Sequence, residues 1–300
     1  MAVPVPAPEA IQRLPVDDVD ALLDRLEREV PTHPPFVTVG PATADEAIVF
    51  GDSHGDWPSV REVVGRFEAA GPRALLLGLG DYVDRTPGTV PHGSAVNALY
   101  LLAVAARYPD RAILLQGNHE TDRRIPVAPR SLPDDLAGLW GESPRRLARV
   151  TALLERGPIA AATASGAYCA HAGFPRGPLP TPWAAAVDPD DRGRLGEIVW
   201  AECGASVIRR GVVPAFSHAE LDRFLGSTGL SVFLRGHDPD LAGRPVFGNR
   251  CLTLHTTVVY ERYGGILVAR LPLGGHLADL SGVRVEHLAT ERGAAAGPAR

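Results

Sequence analysis

From Glu46 onward, short apolar runs alternate with longer stretches in which apolar residues recur every three to four positions. AIVFGD is followed by a helical pattern from Trp57 to Ala70, ALLLGLGD by a second from about Ser94 to Arg107, and AILLQGNH comes next. Short apolar runs bounded by turn residues read as buried strands and the 3.6-residue period as helices, so this rhythm predicts an α/β core. Farther on, PIAAAT, AYCAHA, SVFLRGH, CLTLHTT and GILVARL have fewer helical patterns between them, which predicts a second, more antiparallel sheet. Ahead of the core, Asp17 to Val30 combines helical spacing with an acidic first turn and reads as a short amphipathic helix. The stretch Ile125 to Trp140 carries Pro126, Pro129 and Pro133 and reads as a loop region. The first fifteen residues and the last ten have tail composition, for which no fixed structure is expected. The chain therefore divides into an N-terminal extension over 1–40, one folded domain over 41–290 and a disordered tail over 291–300.

Nearly every strand-like run ends in residues able to bind metal. Asp52 and His54 follow the first, Asp81 and Asp84 the second, Asn118 and His119 the third, His171 the AYCA run and His237 the SVFLRG run. Strand ends on one side of a sheet are where α/β proteins assemble sites. Any one of these motifs alone is more often a turn than a ligand set. Five segments that point Asp, Asn and His at one edge are hard to explain as packing. A mixed Asp, Asn and His set without cysteine suits manganese, iron or zinc. Two such ions need a shared ligand, and a carboxylate is the natural bridge. A pair of ions ~3.5–4 Å apart can bind phosphate oxygens and hold a hydroxide for in-line attack, so the chemistry served best is phosphoester hydrolysis.

Composition narrows the partners. The 300 residues carry 45% apolar content, 22% charged residues and a formal net charge of −5, which argues against nucleic acid as the main partner. No apolar run reaches membrane length, and the N-terminus lacks a basic region followed by an apolar one, so a cytoplasmic location without a membrane partner is expected. Cys169, Cys203 and Cys251 have no CxxC spacing and fit reduced structural thiols. The chain has no lysine, so phosphate contacts must come from arginine, whose planar fork binds oxyanions bidentately.

GDSHG at 51–55, GDYVDR at 80–85, GNHE at 117–120, CAHAG at 169–173 and RGHD at 235–238 resemble the ordered signature of the phosphoprotein phosphatase family, of the serine/threonine protein phosphatase type, within the calcineurin-like metallophosphoesterases. The resemblance covers roughly residues 46–260 and is poor at about 121–152. It implies an α/β metallophosphoesterase sandwich of two mixed β-sheets flanked by helices, with the catalytic domain over 41–290. It also implies two divalent ions, manganese first with iron or zinc as alternatives. Asp52 and His54 would hold the first ion, Asp81 would bridge, and Asn118, His171 and His237 would complete the second. His119 would protonate the leaving alkoxide, oriented by Asp84. Arg85 and Arg210 would face the substrate phosphate, with Arg209 the rival of Arg210. The expected substrate is a phosphorylated protein or peptide.

Several neighbours depart from the family pattern. Thr86 stands in place of a Gly, Ala172 replaces the first Gly after the ligand histidine, Gln116 replaces an Arg, and HTTVVY at 255–260 offers Tyr260 as counterpart of a family tyrosine. The competing functions are a dinucleoside polyphosphate (diadenosine tetraphosphate) hydrolase, a non-catalytic metal-binding regulatory scaffold and a cyclic-nucleotide phosphodiesterase. Of the remaining histidines, His255 is a candidate to support the site, and His33, His92, His218, His276 and His287 read as surface or capping residues.

Overall fold

The computed structural model describes residues 5–289. Within them the strands are β1 (Phe36–Val39), β2 (Glu46–Phe50), β3 (Ala74–Gly78), β4 (Ala112–Leu114), β5 (Ala160–Thr163), β6 (Ala167–Ala170), β7 (Val232–Arg235), β8 (Cys251–Thr253), β9 (Leu267–Pro272) and β10 (Arg284–His287). They form two five-stranded sheets, in the orders β10-β9-β2-β3-β4 and β1-β5-β6-β7-β8. The helices are α1 (Pro8–Gln12), α2 (Val16–Glu29), α3 (Trp57–Ala69), α4 (Gly93–Arg107), α5 (Leu132–Trp140), α6 (Pro144–Leu154), α7 (Arg192–Val199), α8 (His218–Thr228) and α9 (Glu261–Gly264).

Side-chain alternation explains why two sheets stack. In β2, Ala47 and Val49 face the other sheet while Ile48 and Phe50 face helices, and in β3 Leu75 and Leu77 point inward while Ala74 and Leu76 point outward. The inward set meets Ala161, Cys169, Val232, Leu234 and Leu252 of the second sheet. A strand turns successive side chains to opposite faces, so apolar residues at both parities demand cover on both sides. The outer face of the first sheet is covered by α2 to α6, and that of the second by α7 and α8. Helix α4 lies in the middle of the first layer, and every residue from Gly93 to Ala105 is buried.

The sandwich of two mixed sheets is the expected one, with three corrections. The second sheet is not the more antiparallel: β1-β5, β6-β7 and β7-β8 are parallel and only β5-β6 is antiparallel. GILVARL instead enters the first sheet as β9, antiparallel to both β2 and β10. The span between β6 and β7 holds α7 and α8, the long crossover that parallel neighbours require. In the N-terminal extension expected over 1–40, Pro8–Gln12, read as part of a tail without fixed structure, form α1, and the described residues pack against the domain. Helix α1 buries Ile11, and Trp140 Nε1 donates to Leu14 O at 2.9 Å. Arg146 grips Asp20 through two hydrogen bonds of 3.2 and 3.1 Å, and β1 pairs in parallel with β5. Finally, Leu132–Trp140 is a helix within the stretch read as a loop, because Pro133 sits in its first turn, where a backbone N–H has no helical partner to lose. The tail expected over 291–300 lies outside the described residues.

Candidate metal centre

The chemistry-bearing residues follow the C-terminal ends of β2, β3, β4, β6 and β7, and parallel pairing brings those ends to one edge of the sandwich. Asp52, His54, Asp81, Asn118, His171 and His237 converge there, each no more than 4% exposed. His54 Nε2 lies 3.7 Å from Asp52 Oδ2 and 3.8 Å from Asp81 Oδ2. On the other side of Asp81, its Oδ2 is 3.4 Å from His171 Nε2, which is 2.9 Å from Asn118 Oδ1 and 3.2 Å from His237 Nδ1. Asp81 therefore belongs to two metal-competent clusters, one with His54 and His119 and one with His171 and His237, the ligand atoms of each lying within 4.8 Å of one another.

Backbone conformation aims these side chains. His54, Asp81, Asp84, Arg85 and His237 all have positive φ, between 43° and 71°, a region costly for residues with a Cβ. Tertiary contacts hold them there. His54 and Gly55 donate through their backbone N–H to Asp81 O and Tyr82 O, and His237 N donates to Asp52 Oδ1 at 3.0 Å. Gly236 is required beside His237, because a Cβ there would overlap Asp52 Oδ1.

The donor chemistry fits metal. His54 Nδ1 is hydrogen-bonded to Val83 O and His171 Nδ1 to Leu79 O, both at 3.0 Å, while His119 Nδ1 meets Asp84 Oδ2 at 2.7 Å. A carbonyl accepts only from N–H, so Nδ1 of His54 and of His171 carries a proton, and Nε2 is the nitrogen turned to the pocket, able to ligate once free of a proton. The Nε2 atoms of His54 and His119 are buried, and among the described residues neither has a hydrogen-bond partner. Asn118 Oδ1, His171 Nε2 and His237 Nδ1 crowd within 3.2 Å of one another, so three potential acceptors need a proton or a cation among them.

Electrostatics points the same way. Burial opposes the charge on His171, yet the adjacent Asp81 and Asp52 push its pKa up to about 9, the response of a site that calls for positive charge. Burial also resists ionisation of Asp81, but His171, His119 and His54 hold its carboxyl well below the usual carboxylate range. His54 is pushed down to about 4, mainly by burial.

Around this floor stand the other expected residues. Arg85 Nη1 donates to Tyr260 OH at 2.9 Å, and the Tyr260 ring packs edge-on against His54 and His255. Arg210 reaches the pocket through Nη2 to His237 O at 2.9 Å and Nη1 to Asp238 Oδ1 at 3.2 Å. Arg209 instead donates to carbonyls of its own loop, at Ser206, Ile208 and Gly204. His255 is fully buried with its Nδ1 3.4 Å from Asp52 Oδ2.

Residue reading left two supports unassigned. Glu120 accepts from Asp81 N, Tyr82 N and Gly117 N at 2.7, 2.9 and 2.9 Å and so ties the β3 and β4 loops together. Burial and the nearby Asp81 raise its carboxyl to about 7 despite those three amides. Arg235, fully buried, binds Asp238 Oδ2 at 2.8 Å and the carbonyls of Ala172 and Ala201, which joins the His171 and His237 loops. Both residues stand inside quoted motifs, and a charged residue in a buried run was the available signal.

The model of the calcineurin-like phosphoesterase family matches residues 47–241. Among curated proteins, the chain is 28% identical over 230 residues to a protein phosphatase 2A catalytic subunit of Dictyostelium discoideum, covering 71% of this chain and 68% of that one. It is 25% identical over 260 residues to the serine/threonine-protein phosphatase PP2A-like PPG1 of Candida albicans, covering 82% and 59%. Among solved structures, a Saccharomyces cerevisiae protein serine/threonine phosphatase with similarity to human phosphatase PP5 superposes with a TM-score of 0.74 at 22% identity, over 93% of this chain and 91% of that one. A cold-active protein-tyrosine phosphatase of a Shewanella species shares the fold at a TM-score of 0.55 and 15% identity, over 82% and 79%.

Proposed function

The chain belongs to the calcineurin-like phosphoesterase family, and from that premise we propose that it is a serine/threonine protein phosphatase working through a dinuclear metal centre. The observation that carries the reading is the placement of Asp81 between two imidazole clusters, with the His119–Asp84 pair alongside. Asp52 and His54 would hold one ion, Asn118, His171 and His237 the other, and Asp81 would be shared between them. When bound, the ions, manganese first with iron or zinc as alternatives, would supply Lewis-acid chemistry toward the phosphoryl oxygens and water. The names of the two curated relatives support a phosphorylated protein or peptide as substrate.

The chain's own side chains do the rest. Arg85, steadied by Tyr260, and Arg210, steadied by Asp238, bind the non-bridging phosphate oxygens and orient the ester. His119 presents Nε2 to the pocket while Asp84 occupies Nδ1, so a proton on Nε2 is aimed at the departing alkoxide. Serine and threonine alkoxides are poor leaving groups and gain most from that proton.

A panel run on the full chain after chelation and reconstitution with manganese, iron or zinc tests the reading. The expected result is metal-dependent release of phosphate from phosphoserine and phosphothreonine peptides. A faster rate on a dinucleoside polyphosphate or a cyclic nucleotide would reassign the substrate. Stoichiometric metal binding without turnover of any phosphate ester would leave a regulatory scaffold.

A further inference from the structure

The partner of His119 is suspended between two helix starts. Asp84 Oδ1 accepts from Ser131 N at 2.6 Å and Leu132 N at 2.9 Å, the N-cap residue and first residue of α5. Asp84 N donates to Ser94 Oγ at 2.8 Å, in the first turn of α4. Asp84 and the next residue, Arg85, have φ of 63° and 50°, so this backbone persists only because its surroundings hold it.

Asp135 joins the two helix starts. Its Oδ2 accepts from Ser94 N at 2.8 Å and from Thr86 Oγ1 at 3.2 Å. Thr86 Oγ1 lies 2.7 Å from Ser94 Oγ, which is 3.0 Å from Ser131 Oγ. A carboxylate only accepts, so it sets the sense of the hydroxyl chain. Thr86 spends its proton on Asp135 and accepts from Ser94, which leaves Ser94 Oγ free to accept the Asp84 N–H. Thr86 stands where the family that the chain resembles usually has Gly, and Asp135 lies in the stretch of poor resemblance, so the two departures meet in one network.

We propose that Asp135 is a positioning residue for the His119–Asp84 pair, acting through the Thr86, Ser94 and Ser131 hydroxyls to hold Asp84 where it aims His119 at the leaving group. The inference rests on the reading of His119 as proton donor. Losing that aim penalises poor leaving groups selectively, whereas a merely structural loss slows all substrates alike.

The test is kcat for the full chain reconstituted with manganese, measured on dinitrophenyl phosphate, phenyl phosphate and a phosphoserine peptide, with bound metal counted in each variant. Asp135→Ala should lose roughly tenfold on the poorest leaving group, the low end for outer residues that orient a reactive one. On dinitrophenyl phosphate it should lose several-fold less. Thr86→Val should show the same selective loss, and Thr86→Ser, which restores the hydroxyl, should recover it. Should Asp135→Ala fold poorly, the Thr86 pair decides. Equal losses across the three leaving groups, or loss of a metal ion in Asp135→Ala or Thr86→Val, would overturn the proposal. Wild-type turnover of the aryl phosphates with none on the peptide would overturn the protein-substrate reading alone, and the phenyl-to-dinitrophenyl ratio would still read the role of Asp135.

Discussion

The floor of the pocket and its rim are built differently. On the floor, Asp52, His54, Asp81, Asn118, His171 and His237 are buried, and most are pinned by the backbone of a neighbouring strand end. On the rim, Arg85 and Arg210 are half-buried and held through loop partners, and the loop of Arg210 exposes Val207 at 85%. Floor positions inherit the register of the two sheets, so a change there propagates to several groups at once. Rim positions depend on a few local contacts and should respond one residue at a time.

Asp81→Asn should have the largest effect, because one carboxylate stands in both clusters. Losing its charge removes several kcal/mol of electrostatic support, a fall on the order of 10³-fold in kcat with reduced metal content by elemental analysis. Full metal occupancy together with a rate equal to that of Asp84→Asn would break the assignment of Asp81 as the bridge.

Next comes His119, on the floor by burial but assigned to proton transfer and not to ligation. His119→Asn should keep both ions and lose roughly 10²-fold on a phosphoserine peptide, the low end for a positioned acid, with a much smaller loss on an activated aryl phosphate. A variant that binds one ion, or slows both substrates equally, would move His119 into the ligand set and make His255 the first replacement donor to examine.

Asp84→Asn keeps the shape of the side chain but weakens its hold on the His119 imidazole, and a loss of roughly 10–100-fold is expected, well short of Asp81→Asn. On the rim, Arg210→Ala should raise KM and cost about tenfold in kcat/KM, the scale of one charge-assisted hydrogen bond, with metal content intact. Arg209→Ala should change little, since its guanidinium is spent on carbonyls of its own loop. Reversed magnitudes in steady-state kinetics would exchange the roles of the two arginines.

The same contrast governs how much could be read in advance. Strands β2, β3 and β4 and helices α3 and α4 are long or strongly patterned, and their bounds lie close to the expected ones. Strands β1 and β10 have four residues each, are only partly buried and sit at sheet edges, so their apolar pattern is faint. Helix α5 is masked by the prolines of its stretch, of which Pro126 and Pro129 precede it and Pro133 belongs to its first turn. Glu120 and Arg235 are visible as letters in the motifs but silent as to role, because the partners that tie them to a second loop are backbone groups 39 and 63 positions away.

The order of apolar runs and the polar residues that end them indicated an α/β core with metal-competent side chains at its strand ends, since periodicity and side-chain chemistry are local properties of the chain, and the family resemblance added the two-sheet sandwich and the expected ligand roles. Everything that depends on which strand ends meet came from packing. Parallel pairing in the second sheet carries His171 and His237 to the same edge as Asp81. That Arg210, and not Arg209, contacts the His237 carbonyl is likewise a matter of packing. The hydrogen bonds that run from Asp135 through Ser94 to Asp84 exist only because α4 and α5 start side by side. Hydrogen bonds between residues dozens of positions apart are set by three-dimensional proximity, and no local pattern in the chain encodes them.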